Sequence, residues 1–272
     1  MIVVCKSRCE KGGQILDVRQ PVNMRIANRL GIVSWWTSFG SGGNRFRDLM
    51  RRNHGTLNGG MSHRSPAGRR GGYGSFYFDE VNDYIRVSHN STLSITSAIT
   101  LLCWVNPASV PGGSEQHRLV SKGVDKYVLF FDPLSLVPQF YLSGVSTSQF
   151  SFTAGATIGK WSLLGASYDA NGGTNNRRTY MNGKLDRQAS HTGSISTDTV
   201  DLTIGAYHTG SSFMSGYMDD IVIASRPWTS REHLWWYNDS VHGHPKMLNW
   251  IEDGGHSATG NRRRRFMMAC AE

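Results

Sequence analysis

Residues 99–106 read ITLLCWVN, and this stretch decides the fold class. Side chains alternate between the two faces of a strand, so Cys103 and Val105 lie on one face, with Leu102 and Trp104 on the other. Both faces are apolar, which is typical of a central strand packed between two layers. The stretch therefore predicts a sandwich or a barrel rather than a sheet with one solvated face.

Short runs of the same type extend outward from this strand. They lie at residues 75–79, 84–87, 118–121, 127–131, 138–142, 149–153, 161–168, 177–181, 200–204 and 217–223. Asn182-Gly183 predicts a type I′ hairpin, because both residues readily adopt positive φ. One helix is predicted over 229–238, with Thr229 or Ser230 as its N-cap and Glu232 in its first turn. Many short strands and one helix indicate an all-β domain.

Several of these segments match a known family in the order in which they occur. The matching segments are 31–36 (GIVSWW), 48–57 (DLMRRNHGTL), 78–85 (FDEVNDYI), 180–184 (YMNGK), 213–221 (FMSGYMDDI) and 226–233 (RPWTSREH). In this order they resemble the laminin-G-like branch of the concanavalin A-like lectin/glucanase superfamily. The resemblance implies a jelly-roll sandwich of two curved antiparallel sheets with one short C-terminal helix. The sequence departs from the family pattern at Glu80, Asn82 and Trp228.

The resemblance also suggests a division of the chain and a role for its loops. It implies an N-terminal arm (1–24), a jelly-roll domain (25–240) and a C-terminal tail (241–272). We expect a recognition or adhesion module that binds glycan or a protein surface. Its binding residues are not fixed by the sequence, and the candidate loops are 109–116, 132–139, 143–149, 171–176 and 207–213.

The alternative function is a structural subunit of an assembly. Such a subunit could be a virion decoration, a capsid-associated or tail component of a phage, or part of a surface lattice, and it would form a homo-oligomer or a virion assembly. Both functions suggest an extracellular, virion or cell-surface location. Residues 1–13 lack the apolar core of a signal peptide, and no apolar run is long enough to span a membrane.

Catalytic patterns are missing from the sequence. The glucanases of this superfamily carry an E-x-D-x-x-E strand, whereas the closest run here, 219–225, has no acid after Asp220. The sequence contains neither a G-x-S-x-G elbow nor an H-E-x-x-H helix. These absences predict a chain that is not an enzyme.

Calcium is the one cofactor that the resemblance suggests. Asp48 and Asp219 lie in the matching first loop and closing strand, which are neighbours in the implied fold, so the pair could share one structural Ca²⁺. The alternative is that Asp48 caps a turn and Asp219 pairs with an arginine. Arg51 and Arg52 add positive charge beside this loop, which disfavours a cation.

Positive charge is concentrated near the N-terminus. Residues 1–72 hold thirteen Lys and Arg against three Asp and Glu, in a chain with a net charge of +9. Four arginines form a candidate contact cluster: Arg45, Arg47, Arg51 and Arg52. The cluster predicts an acidic partner, which could be a neighbouring subunit, an anionic glycan or nucleic acid. Nucleic acid is the least favoured because no recognisable nucleic-acid fold accompanies the charge, and a solubilising arm is the simpler alternative.

The Trp pair 35–36 is best explained as structural, and sugar stacking by one of its rings is the alternative. On a strand the two rings point to opposite faces, so one packs inward and the other points outward. Trp104 and Trp161 are expected in the core.

Overall fold

Two antiparallel β-sheets face each other across an apolar interior, which confirms the predicted jelly-roll sandwich. The computed structural model describes residues 22–38, 41, 44–61, 74–244 and 247. Two helices, α1 (Met24–Arg29) and α2 (Ser230–Ser240), complete the described part of the chain, together with a short 3-10 turn at Ser91–Leu93. None of the helices in this part is long and apolar enough to cross a membrane.

Fifteen strands build the two sheets. In chain order they are β1 (Ile32–Trp36), β2 (Arg45–Phe46), β3 (Gly55–Asn58), β4 (Phe76–Asp79), β5 (Tyr84–Val87), β6 (Ala98–Pro107), β7 (His117–Lys122), β8 (Tyr127–Phe131), β9 (Pro138–Leu142), β10 (Gln149–Ser151), β11 (Ser162–Asp169), β12 (Arg177–Met181), β13 (Lys184–Ala189), β14 (Leu202–Ile204) and β15 (Ser215–Ala224).

Strand β6 lies in the middle of the seven-stranded sheet, as its two apolar faces predict. The order of this sheet is β1-β15-β6-β11-β12-β13, and β4 also pairs with β15. The eight-stranded sheet has the order β10-β9-β8-β7-β14-β5-β3-β2. Residues Asn182 and Gly183 form the predicted two-residue turn between β12 and β13, with φ angles of 53° and 76°.

The inner face of β6 and its outer face belong to two separate apolar clusters. Cys103 and Val105 lie in the interior between the sheets. Leu102 and Trp104 lie on the outer face of the seven-stranded sheet, in a cluster completed by Trp236 of α2. The helices therefore form a third layer over this sheet, and β6 is covered on both sides.

The predicted capping of α2 is confirmed. The Thr229 side chain accepts a hydrogen bond from the Glu232 backbone N–H, and the Glu232 carboxylate accepts one from the Thr229 backbone N–H. The helix continues two residues beyond the predicted end. Of its adjacent tryptophans, Trp236 is buried and Trp235 is half-buried, so one ring docks the helix on the sheet.

Three short elements were not predicted from the sequence. Helix α1 has six residues, β2 has two and β3 has four, which is too short for a clear hydrophobic period. Trp161 is half-buried rather than buried. His244 and Met247, which the predicted division assigns to the C-terminal tail, are buried in the described structure.

Candidate binding site at one end of the sandwich

The strand registers sort the five candidate loops into two groups. Loops 109–116, 132–139 and 207–213 lie at one end of the sandwich, beside the connections 80–83 and 154–161. Loops 143–149 and 171–176 lie at the opposite end. We call the first group the loop end and define it as residues 80–83, 108–116, 132–137, 154–161 and 205–214.

Hydrogen bonds between different loops fix the loop end. The Leu134 N–H donates to the Pro111 carbonyl at 2.9 Å, and the Ala156 N–H donates to the Leu136 carbonyl at 2.8 Å. The Gly159 N–H reaches the carbonyl of Pro107, directly before this end, at 2.9 Å. Three connections that are distant in sequence thus form one hydrogen-bonded surface.

Each of four loops places one aliphatic side chain in solvent. Leu134 is 73% exposed, Val81 67%, Ile158 50% and Val110 39%. Leu134 also has a φ of 58°, a left-handed conformation that is unfavourable for a bulky side chain. Strained backbone of this kind clusters at functional sites, so the exposed Leu134 marks this surface as a binding candidate.

Glu80 fixes the first of these loops in a conformation that the related family gives to glycine. Its φ is 67°. Its carboxylate bonds the His117 Nε2 at 3.0 Å and accepts the Ser109 hydroxyl at 2.9 Å. Burial opposes ionisation, but the hydrogen bonds from His117 and Ser109 outweigh it and lower the pKa of Glu80. The departure from glycine therefore gives this loop two side-chain anchors.

A second carboxyl group in the same loop as Glu80 has a raised pKa. Burial, followed by the charge of Asp79, raises the pKa of Asp83 to about 6. Its Oδ2 accepts the Asp79 backbone N–H at 3.2 Å, while its Oδ1 is buried and has no hydrogen-bond partner among the described residues. Together with Glu115 and Asp132 these groups make the loop end acidic, with Lys160 as its one Lys or Arg side chain.

The predicted arginine cluster lies away from the loop end. Arg45 is on β2, while Arg51 and Arg52 lie in the turn before β3, next to Gly55. Gly55 pairs with Val87, at the end of β5 opposite to the loop end. These three arginines are exposed, and Arg47 is half-buried.

The arginines converge on His54. Burial, and then the positive charge of Arg45, lowers the pKa of His54, with further contributions from Arg47 and Arg51. The cluster is therefore a local positive surface rather than a set of scattered charges. The acidic partner predicted for it is tested by no observation here and stays a prediction.

Asp48 holds a turn with both of its carboxylate oxygens. Oδ1 accepts the N–H groups of Trp35 and Met50, each at 2.9 Å. Oδ2 accepts those of Arg52 and Asn53 at 3.1 and 2.9 Å. Four donors leave this carboxylate little capacity for a cation, which favours the turn-capping alternative.

Asp219 accepts hydrogen bonds from residues that directly follow Trp35, which is bonded to Asp48. Its Oδ1 accepts the Thr37 hydroxyl and the Ser38 N–H, both at 3.0 Å. The two candidate ligands therefore both bond residues 35–38, but the described residues contain no group of three or more His, Cys, Asp or Glu side chains that could hold a metal ion. A calcium ion at Asp48 and Asp219 stays a prediction that this geometry does not favour.

Neither tryptophan of the candidate stacking pair reaches solvent. Trp36 packs in the interior, and Trp35 points to the outer face but is fully buried. The Trp35 ring is covered by Trp236 and His244, with centroid distances of 5.2 and 4.8 Å. The alternative of a glycan platform at this pair is therefore ruled out and both rings are structural, because helix α2 and the segment after it cover the outward ring.

A different aromatic pair is open to solvent beside the loop end. Tyr77 of β4 is 41% exposed, and its ring lies 5.0 Å from that of Tyr217 on β15. Asn106 of β6 is directly opposite Tyr217 in the same row. These residues and the aliphatic loop tips were not predicted from the sequence, although apolar residues inside predicted turns were a usable signal.

Structural comparison places the chain among known sandwiches. The receptor-binding domain of botulinum neurotoxin type G superposes with a TM-score of 0.57 at 14% identity, over 77% of this chain and 51% of the toxin domain. A Trypanosoma rangeli sialidase in complex with sialic acid superposes with a TM-score of 0.56 at 13% identity, over 77% of this chain and 33% of the sialidase. The chain thus spans about half of the first protein and a third of the second. At these identities the likeness shows the fold alone.

These comparisons correct the prediction that the chain is not an enzyme. The fold neighbours include sialidases, among them a mutant of the T. rangeli enzyme that displays trans-sialidase activity, with a TM-score of 0.56. Some proteins that contain this fold are therefore enzymes, and missing glucanase motifs do not exclude activity. At 12% identity this likeness does not show that the chain is an enzyme either.

Sequence comparison agrees with the fold. Among curated protein sequences none matches this chain. The sequence profile of a laminin-G-like family, described as the concanavalin A-like lectin/glucanases superfamily, matches residues 79–232. This match covers more than half of the chain and includes β5 to β15 and the start of α2. The chain therefore belongs to the laminin-G-like family of the concanavalin A-like lectin/glucanase superfamily.

Proposed function

We propose that this chain is a binding module that recognises a carbohydrate or a protein surface at the loop end. One observation carries the proposal: loops that are hydrogen-bonded to one another present exposed aliphatic side chains on a fixed backbone. A rigid scaffold with exposed loop residues is the usual way in which sandwich domains present a grafted site. The neurotoxin neighbour is a receptor-binding domain, which is consistent with this role.

The two chemical classes of ligand would use different parts of this surface. Leu134 and Ile158 are aliphatic and suit an apolar protein surface. Tyr77 and Tyr217 offer neighbouring rings, and Asn106 beside them offers an amide, which suits a sugar ring with its hydroxyl groups. Binding of sugar by the two tyrosines would allow the chain to adhere to a surface glycan.

Binding to an array of immobilised oligosaccharides tests the proposal. We expect the full chain to give signals that are lost in Tyr77→Ala and kept in Tyr141→Ala, a half-buried tyrosine on the eight-stranded sheet. Loss of the signals in Leu134→Ser with Ile158→Ser, but not in the exposed control Leu185→Ser, would instead place the sugar on the loop tips. Equal signals from all variants would overturn the proposed site. If the wild type gives no signal, carbohydrate is excluded as the ligand and a protein surface is the remaining ligand class.

A structural role in an assembly is the second candidate function. It is favoured by one feature, the separation of an acidic loop end from an exposed arginine cluster. Such a subunit could serve in a virion, a phage tail or a surface lattice, and it needs surfaces on one copy that fit surfaces on the next.

A further inference from the structure

The loop end combines aliphatic tips with excess negative charge. Its loops, with Asp79 at the end of β4, carry four acidic side chains that reach solvent against the single Lys160: Asp79, Glu80, Glu115 and Asp132. A fifth acidic side chain, Asp83, is buried. Glu115 is exposed, and the Glu80 side chain is 41% exposed. The tips Val81 and Leu134 lie among these charges. A partner that fits this surface must cover aliphatic groups and supply positive charge.

The opposite end of the eight-stranded sheet carries unpaired positive charge. Arg45, Arg51 and Arg52 are exposed, and none of them forms an ion pair within the described ranges. Asp48, the acid within this segment, is buried and engaged by four backbone N–H groups, so its charge is not presented to solvent.

A fourth arginine extends the same surface. Arg45 pairs with Thr56, and Thr56 pairs with Arg86, so the three side chains lie in one row on the outer face of the sheet. Arg86 is about half exposed, and its Nε lies 3.7 Å from Asp201. We define the basic end as Arg45, Arg51, Arg52 and Arg86.

We propose that the loop end of one copy of this chain docks on the basic end of a second copy. The partner is thus a second copy of the chain, and the contact is head to tail. This inference rests on the proposed binding role of the loop end. It adds the identity of one partner and the surface through which that partner binds.

Charge complementarity selects the head-to-tail arrangement. Two loop ends would bring together two acidic surfaces, and two basic ends would bring together unpaired arginines, so both symmetric pairings are repulsive. The mixed pairing brings opposite charges together and covers the aliphatic tips. Because each contact uses two different surfaces, it leaves one of each free, and the copies form a ring or an open filament rather than a closed two-fold dimer.

Size-exclusion chromatography with light scattering tests the contact on the full chain. We expect oligomers at about 0.1 M salt that dissociate as salt approaches about 1 M, because the Debye length falls from ~10 Å to ~3 Å over this range. The loop-end variant is Glu115→Lys with Leu134→Lys, and the basic-end variant is Arg51→Glu with Arg52→Glu. The matched control, Leu185→Lys with Arg231→Glu, changes exposed residues outside both surfaces.

Mixing the variants gives the decisive result. Each end variant alone should be monomeric at every salt concentration, and the control should behave like the wild type. An equimolar mixture should form a dimer and no larger species, because one variant supplies an intact basic end and the other an intact loop end. Unchanged thermal unfolding of the variants would show that they are folded.

Three outcomes would overturn the inference. They are a wild type that is monomeric at every salt concentration, oligomers that persist in either end variant, and a mixture that remains monomeric. A monomeric wild type that still binds oligosaccharide through Tyr77 or Leu134 would reject the head-to-tail contact and leave the proposed binding function intact.

Discussion

His233 gives the fold a predictable sensitivity to acid. Its ring lies between α2 and the seven-stranded sheet, stacked on Tyr180 at a centroid distance of 3.7 Å. Neither ring nitrogen has a hydrogen-bond partner in the part of the chain that the structure describes. Gly165 makes room for the ring, since a Cβ at that position would lie 2.7 Å from Nδ1. Burial lowers the pKa of His233 to about 3, and the opposing effect of Glu232 is smaller.

The pKa shift of His233 determines how far, and in which direction, the free energy of unfolding changes with pH. Above pH 6.5, the ordinary pKa of His, the ring is neutral in both the folded and the unfolded chain. As the pH falls below 6.5 the unfolded chain binds a proton that the folded chain cannot bind until about pH 3. The free energy of unfolding therefore decreases by about 1.4 kcal/mol per pH unit, or roughly 2.7 kcal/mol by about pH 4.5.

The substitution His233→Phe keeps the stacked ring and removes the titrating group. Urea unfolding followed by tryptophan fluorescence, at several pH values from about 7.5 to about 4.5, measures the free energy for both proteins. Relative to the wild type the variant should become steadily more stable below pH 6.5, by roughly 2–3 kcal/mol at the lowest pH. His208→Phe is the control, since His208 is half-exposed. A difference between His233→Phe and wild type that does not change with pH would refute the reasoning.

Three further predictions concern other polar side chains that hold the fold, and a fourth concerns calcium. Arg177→Lys should lower the free energy of urea unfolding by about 2–4 kcal/mol, because an ammonium cannot replace a planar guanidinium that donates to three backbone carbonyls, those of Phe140, Thr147 and Ser148. Thr229→Ala should cost about 1 kcal/mol by removing the capping box of α2, seen as a lower midpoint in thermal circular dichroism. Asp48→Asn should cost about 1–3 kcal/mol, since an amide nitrogen cannot accept the N–H groups that now face Oδ1 or Oδ2. Calcium followed by a chelator should leave the wild-type melting midpoint unchanged; a rise with calcium would instead show an ion bound by the folded state.

The sequence alone determined most of the strands, the main hairpin and the final helix. Residues 99–106 are apolar on both faces, and β6 is indeed covered on both faces. Asn182-Gly183 forms the turn that it predicts, and Thr229 with Glu232 forms the predicted cap. These features depend on side-chain alternation and on contacts within four residues, so a short stretch of sequence is sufficient to encode them.

The tertiary structure decided which residues meet. The loops around Val81, Val110, Leu134 and Ile158 form one surface because the strands that carry them are aligned by registers across two sheets. No local pattern contains that alignment. The positive φ of Leu134 is likewise imposed by the hydrogen bond between its loop and Pro111 rather than by its own preference.

Burial of the Trp pair and the role of Asp48 depended on long-range contacts in the same way. Alternation correctly separated Trp35 from Trp36, but only the docking of α2 determined that the outward ring is covered by Trp236. The spacing of Asp48 along the chain fitted either a cation or a turn, and the backbone N–H groups that fold around its oxygens favour the turn. Sequence specifies which faces are apolar and which turns can form, whereas the packing of elements distant in the chain determines which polar groups are satisfied and which surfaces remain open.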